Sequence, residues 1–336
     1  MNKILLLASF FAILGCASNN HIVDDSVITG ATATIYANTI TTADLKKHLY
    51  IIASDEFEGR ETGESGQKKA AEYLKNFYIS ENISSPFNGT DYFQEITTDH
   101  LQPNLNPSEN VLAFITGSEK PEEILVISAH YDHLGSSDGE IYNGADDNGS
   151  GTVAIMEIAQ AFNNAAKNGK GPKRSILFLH VTGEENGLLG SKFYVNFPLF
   201  PLTNTVTNLN IDMIGRVDDT HEHNPDYVYI IGSNKISSEL HTLSENVNSK
   251  FTNLNLDYTY NNDMDPNRYY YRSDHYNFAK NNIPIIFYFN GTHDNYHRPS
   301  DTPDKINYEL LKKRTQLIFY TAWEIANREN RIVFDK

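Results

Sequence analysis

The chain has one cysteine in 336 residues, Cys16, so a metal site in its body has to be built from imidazoles and carboxylates rather than thiolates. Basic side chains are also scarce. Lys and Arg total 27 against 43 Asp and Glu, for a formal net charge of −16, which argues against a nucleic-acid partner and against adhesion of the body to an anionic membrane. After the first residues no hydrophobic run approaches the roughly 20 residues that would span a bilayer, and no internal repeat is visible.

The N-terminus is the exception. Lys3 precedes the apolar run Ile4 to Leu14, followed by Gly15-Cys16-Ala17-Ser18; a run this short reads as the core of an export signal. Ile13-Leu14-Gly15-Cys16 resembles a bacterial lipoprotein cleavage box, with Leu14 where a small residue is usual. The expectation is a signal peptide over 1–15, lipidation of Cys16, a flexible tether over 16–39 that is polar, small and β-branched, and one folded domain over 40–336. The chain would then lie in a bacterial cell envelope, held to a membrane only through the lipid on Cys16.

Within 40–336, helical periodicity is expected at Thr42 to Ala53, Gly66 to Ile79, Ser150 to Ala165, Leu188 to Phe197, Ser237 to Ser249 and Asn307 to Asn327. Strand patterns fall at Asn110 to Thr116, Ile124 to Ser128, Ser175 to Val181, Val206 to Ile211, Tyr227 to Ile231 and Ile285 to Phe289. The alternation predicts a single α/β domain with a mixed, mostly parallel β-sheet sandwiched by helices. The first two strands are separated by so little chain that a hairpin is expected between them.

Five segments carry metal-ligand residue types: His130-Tyr131-Asp132, Gly144-Ala145-Asp146-Asp147, Gly183-Glu184-Glu185, Ile211-Asp212 and Tyr296-His297. Three are approached by strand patterns, so their side chains are expected at strand ends, where α/β sheets place their sites. Singly, each has an ordinary structural reading: a satisfied histidine, an Asp-Asn-Gly turn, a solvated helix start. Together they supply ligands for two divalent ions and a spare glutamate. Adjacent side chains on an extended segment point to opposite sides, so one of Glu184 and Glu185 can ligate while the other accepts a proton. Asp132 is expected to orient His130 through its other ring nitrogen.

These motifs resemble, in the family's order, the co-catalytic zinc aminopeptidases, which include bacterial leucyl aminopeptidases and aminopeptidase S, with glutaminyl cyclases and the transferrin-receptor ectodomain as distant relatives. The resemblance runs from about residue 40 to the C-terminus. It includes Ser128 to His133, Gly144 to Gly151, Glu184 to Ser191, Asn210 to Met213 and Tyr296 to Thr302, and more softly Arg272-Ser273-Asp274-His275. It implies a zinc-exopeptidase (phosphorylase/hydrolase-like) fold and two zinc ions, other divalent ions being possible. Asp146 would bridge them, with Glu185 and His297 completing one site and His130 and Asp212 the other. Glu184 would be the general base toward a metal-bridging hydroxide, with Asp132 and Asp147 as supporting groups. It further implies a cis peptide between Asp146 and Asp147. Some relatives insert a protease-associated domain; Ile96 to Asn110 is too short for one.

The implied activity is removal of N-terminal residues from peptides with a free N-terminus. Alternatives are a glutaminyl cyclase or a carboxypeptidase on the same fold, or a non-catalytic binding homologue, which the intact Glu184 and ligand set disfavour. Of the remaining residues, His133, His275 and His293 are read as neighbours of the site rather than ligands. Arg272 and Arg298 could contact a substrate carboxylate, which would favour a carboxypeptidase; Arg272 is read rather as ordering its loop, and Tyr258 to Tyr271 as either pocket rim or packing.

Overall fold

Alternating apolar strands and amphipathic helices do form one layered α/β domain. The computed structural model describes residues 25–87 and 89–336; the signal-peptide and Cys16 readings lie outside them. Among the described residues, ten strands are β1 Phe93–Ile96, β2 Ser108–Ile115, β3 Lys120–His130, β4 Ser136–Ser137, β5 Glu140–Ile141, β6 Arg174–Val181, β7 Thr205–Ile211, β8 Tyr227–Ile231, β9 Asn255–Asp257 and β10 Ile285–Phe289. Eight helices are α1 Asp25–Ala37, α2 Thr42–Ile52, α3 Ser65–Glu81, α4 Gly151–Lys167, α5 Leu189–Asn196, α6 Ser238–Phe251, α7 His275–Ala279 and α8 Tyr308–Asn327. Strands β4 and β5 make a small separate hairpin, and the other eight form one sheet in the order β1-β2-β6-β3-β7-β10-β8-β9.

The sheet centre, β6-β3-β7-β10, is parallel; β2 runs against both β1 and β6, and β8 runs against β10 but parallel to β9. Both faces are covered, and the strands show it residue by residue. Leu125, Ile127 and Ala129 of β3 join the larger core with α4 and α8, while Ile124 and Val126 join a second core with Tyr194 of α5 and Phe278 of α7. That is period-two alternation with both sides apolar, as a fully buried strand requires. Ends are fixed by local chemistry: Thr41, Ser237 and Asn307 accept backbone N–H groups at the starts of α2, α6 and α8.

Two expectations need correction. No hairpin joins β2 and β3. Ser118 N–H donates to Pro172 O and Lys120 N–H to Lys173 O, holding the short connection against the start of β6, and β6 lies between the two strands. The tether expected over 16–39 does not extend to its stated end, because Asp25–Ala37 is helical and Ala33, Tyr36 and Ala37 are buried in the main core, Tyr36 stacking on Trp323. The edge strands β1 and β9 and the short helix α7 were not anticipated.

Candidate metal centre

Parallel strands end together, and the loops that leave them converge. His130 is the last residue of β3, Glu184 and Glu185 come just after β6, Asp212 comes directly after β7, and His297 lies on the loop after β10. The fifth donor comes from the turn into α4, and it is Asp147. Its Oδ1 lies 3.4 Å from His130 Nε2 and its Oδ2 lies 3.0 Å from His297 Nε2. Asp212 Oδ1 is 3.5 Å from the same His130 nitrogen, and Glu185 Oε2 is 3.2 Å from His297 Nε2.

Asp146, the expected bridging residue, points elsewhere. Its Oδ1 accepts the Gly215 N–H at 2.7 Å and its Oδ2 lies 3.1 Å from His293 Nε2. The cis peptide likewise falls one residue later than expected, at Asp147-Asn148. The turn is held by contacts distant in sequence: Asp301 Oδ2 accepts the N–H groups of both Asp146 and Asp147, at 2.9 and 3.1 Å. Gly144 has φ +52, and a Cβ there would collide with the Asp147 carbonyl oxygen and the His133 ring. These restraints decide which of two adjacent carboxylates faces the imidazoles.

The supporting groups differ in part from expectation. His130 Nδ1 is 3.2 Å from the main-chain oxygen of Asp132 and 3.7 Å from its carboxylate. That carboxylate accepts from the Thr62 hydroxyl and from the Glu184 N–H. His133 lies 2.8 Å from Glu185 Oε1 through Nδ1, within the donor cluster rather than merely beside it. His275 is buried against Phe287 with Nε2 2.8 Å from Tyr270 O, and takes no part.

Arg60 was not singled out in the sequence. Fully buried, it donates to the carbonyls of Ile52, Tyr131, Asn143 and Gly144, tying both ligand turns together and placing a positive charge behind the carboxylates. Burial lowers its pKa to about 10, with Asp132, Asp147, Asp301 and Glu185 opposing the shift. Its signal in the chain was an arginine inside Gly59-Arg60-Glu61-Thr62-Gly63, with no periodic element to carry it.

The donor chemistry fits divalent cations. His130 Nε2 and His297 Nε2 are buried without hydrogen-bond partners, although carboxylate oxygens lie between 3.0 and 3.5 Å away. Close approach without hydrogen-bond alignment suits donors directed at a shared ion. Donor atoms of His130, Glu184 and Asp212 lie within 4.8 Å of one another, as do those of His133, Asp147 and Glu185. The two adjacent glutamates are driven apart. Burial, joined by Asp212, Glu185 and Asp274, pushes Glu184 well above the ordinary carboxyl range against the pull of His130. Burial and Asp147 also act to raise Glu185, but His133 and His297 outweigh them and hold it low.

Beside the donors opens a pocket walled by Met213, Tyr269, Phe287, Phe289, Thr292 and Tyr296, with Arg272 at its edge. Tyr269 and Tyr260 also pack into the aromatic cluster around Tyr229, so the Tyr258 to Tyr271 stretch both walls the pocket and fills core.

Fold and donors together define the class: an α/β protein with a carboxylate–imidazole centre at the ends of parallel strands. Residues 110–322 match Peptidase family M28, and the chain belongs to that family. It is 27% identical over 239 residues to the probable aminopeptidase YDR415C of Saccharomyces cerevisiae, an alignment covering 69% of this chain and 61% of that protein; the chain therefore spans less than two-thirds of that relative. The LapA aminopeptidase of Legionella pneumophila has a similar structure, with TM-score 0.69, 20% identity and coverage of 97% of this chain and 81% of that one. So does the glutaminyl cyclase of Porphyromonas gingivalis, at TM-score 0.65, 16% identity and coverage of 84% and 97%. At these identities the likeness establishes the fold.

Proposed function

We propose that the chain is a di-zinc metallo-aminopeptidase that hydrolyses N-terminal residues from peptides with a free N-terminus. The observation that carries this reading is a single carboxylate, Asp147, lying between two imidazoles, His130 and His297, each with a further carboxylate of its own, Asp212 and Glu185. Asp147 would be shared, with His130 and Asp212 holding one ion and Glu185 and His297 the other. When bound, the ions would acidify the attacking water and polarise the scissile carbonyl.

The protein's own groups do the rest. Glu184, with its carboxyl kept basic by burial, takes the proton of the attacking water and returns it to the departing amine nitrogen. His133 keeps Glu185 oriented, and Ser273, donating to Asp212 Oδ2 at 2.7 Å, orients the other ligand. Surplus carboxylate in the pocket favours a substrate α-amino group, and Met213, Tyr269, Phe287 and Phe289 wall the space beside it that would take the first side chain.

Export and attachment through lipid on Cys16 is part of the same proposal and rests on the sequence alone; Cys16→Ala should move the protein from the membrane to the soluble fraction. Among the described residues no helix is long and apolar enough to cross a membrane.

The test pairs metal analysis with a panel of aminoacyl anilides, their N-acetylated forms and N-terminal glutaminyl peptides. Two ions per chain and loss of cleavage on acetylation are expected. Equal cleavage of blocked and free peptides, or pyroglutamate formation without peptide cleavage, would overturn the reading.

A further inference from the structure

Among the described residues, Arg272 is the one cationic side chain lining the pocket, which it shares with Asp147, Glu184, Glu185 and Asp212. With four carboxylates in the same cavity, an arginine would ordinarily pair with one of them. It does not: among the described residues Arg272 makes no ion pair within 4.0 Å and its guanidinium makes no hydrogen bond. The guanidinium instead lies over the Tyr269 ring, 5.0 Å from the centroid, and the residue is exposed.

Its backbone is fixed. Arg272 N–H donates to Tyr269 O at 3.0 Å, and the next residue, Ser273, donates to the Asp212 carboxylate and accepts from Asn210 Nδ2 at 2.9 Å. A loop-ordering arginine spends its donors on loop carbonyls, as Arg60 and Arg314 do on theirs. Arg272 spends none, so that reading from the sequence is not supported. The side chain is left as a planar fork of donors, steadied by an aromatic face and held at the edge of the pocket with its hydrogen-bonding capacity open to a ligand.

We propose that Arg272 is a specificity residue that binds a carboxylate of the substrate. This rests on the aminopeptidase reading and names a substrate class within it: peptides presenting a second anionic group close to the scissile bond. Two sources share that chemistry, the side chain of an N-terminal glutamate or aspartate and the C-terminal carboxylate of a dipeptide. An Arg–carboxylate pair in a half-open site is worth about 1.4 kcal/mol, or tenfold in kcat/KM. Neutral isosteres gain nothing from it. Arg298 is also exposed but does not line the pocket, and Arg216 is engaged with Asn295.

The experiment measures kcat/KM for two matched pairs on the zinc-loaded protein: glutamyl against glutaminyl anilide, and Leu-Gly against Leu-Gly amide. The expected result is that Arg272→Gln lowers the acid-to-amide ratio about tenfold in one pair, with Arg272→Lys recovering part of it. The pair that responds identifies the source. Loss of activity that leaves both ratios unchanged would assign Arg272 a structural role and overturn the inference, as would no change at all. If the unaltered protein cleaves neither neutral substrate, the aminopeptidase reading falls and takes the inference with it; cleavage of neutral substrates with unresponsive ratios sinks the Arg272 inference alone.

Discussion

Two clusters of buried carboxyl and imidazole are built around α4, one at the turn that enters it and one along its length, and they settle the cost of burying charge in opposite ways. At the candidate metal centre, burial acts to raise Asp147, but His130, His297 and His133 outweigh it and hold its pKa well below the ordinary value. In the helical layer, Glu157 of α4 is similarly buried, its two oxygens have no hydrogen-bond partner, and His48 Nε2 stands 3.7 Å off. Burial, with Asp44 and Glu81, raises Glu157 to about 8. Burial and Lys47 lower His48 to about 4, with Asp44 and Glu81 opposing. The second cluster is neutral near pH 7, whereas in the first Asp147 and Glu185 keep their charges. Convergence of several donors from different strands retains charge for a cation; a lone pair in a packed helical layer surrenders it.

The largest test of that contrast is at Glu184. Glu184→Gln preserves shape and removes the proton acceptor, so kcat should fall by about 10²–10⁴-fold with zinc content retained. Glu185→Gln should lose zinc. Equal metal content and equal turnover in the two variants would dissolve the division of labour between adjacent glutamates.

Next in size is the choice between Asp146 and Asp147. Asp147→Asn should reduce bound zinc below two per chain in metal analysis, because the shared oxygen pair is gone. Asp146→Asn should retain it, since Asp146 lies against Gly215 N–H and His293 rather than His130 or His297 and an amide oxygen can still accept from the Gly215 N–H. The reverse pattern would restore the assignment read from the sequence. The inner strands and the long helices were legible to within a few residues because their apolar period is strong, and the ligand segments stood out because strand patterns led into them. The identity of the inward carboxylate was not legible: it is set by Asp301, far along the chain, capturing two backbone N–H groups. Nor was the place of β2, since a short connection says nothing about β6 entering between β2 and β3. Helix α1 was hidden by a small, β-branched composition that disguises the buried face of Ala33, Tyr36 and Ala37.

In the helical layer the corresponding test is Glu157→Gln. Glu157 titrates at the ordinary 4.5 when unfolded and at about 8 when folded, so between these values the native state binds the extra proton and stability falls as pH rises. A glutamine carries no such penalty. The variant should match the unaltered protein near pH 4.5 and exceed it by about 4 kcal/mol at pH 8, read by denaturant unfolding at both pH values. A gain that does not grow with pH would mean the carboxyl is not held neutral.

The smallest expected effect separates hydrogen bonding from charge within that same pair. The Tyr73 hydroxyl lies 2.6 Å from His48 Nδ1, and this contact keeps the buried imidazole satisfied at that atom. Tyr73→Phe should therefore cost about 1 kcal/mol, the usual net value of such a bond. Because His48 titrates near 4 and Tyr73 near 12, neither changes charge between pH 6 and 8, and Glu157 is present in both proteins. The loss should be the same at both ends of that window. A cost that doubles toward pH 6 would show His48 protonating there, and the helical layer would then be holding an ion pair like the metal centre instead of its neutral counterpart.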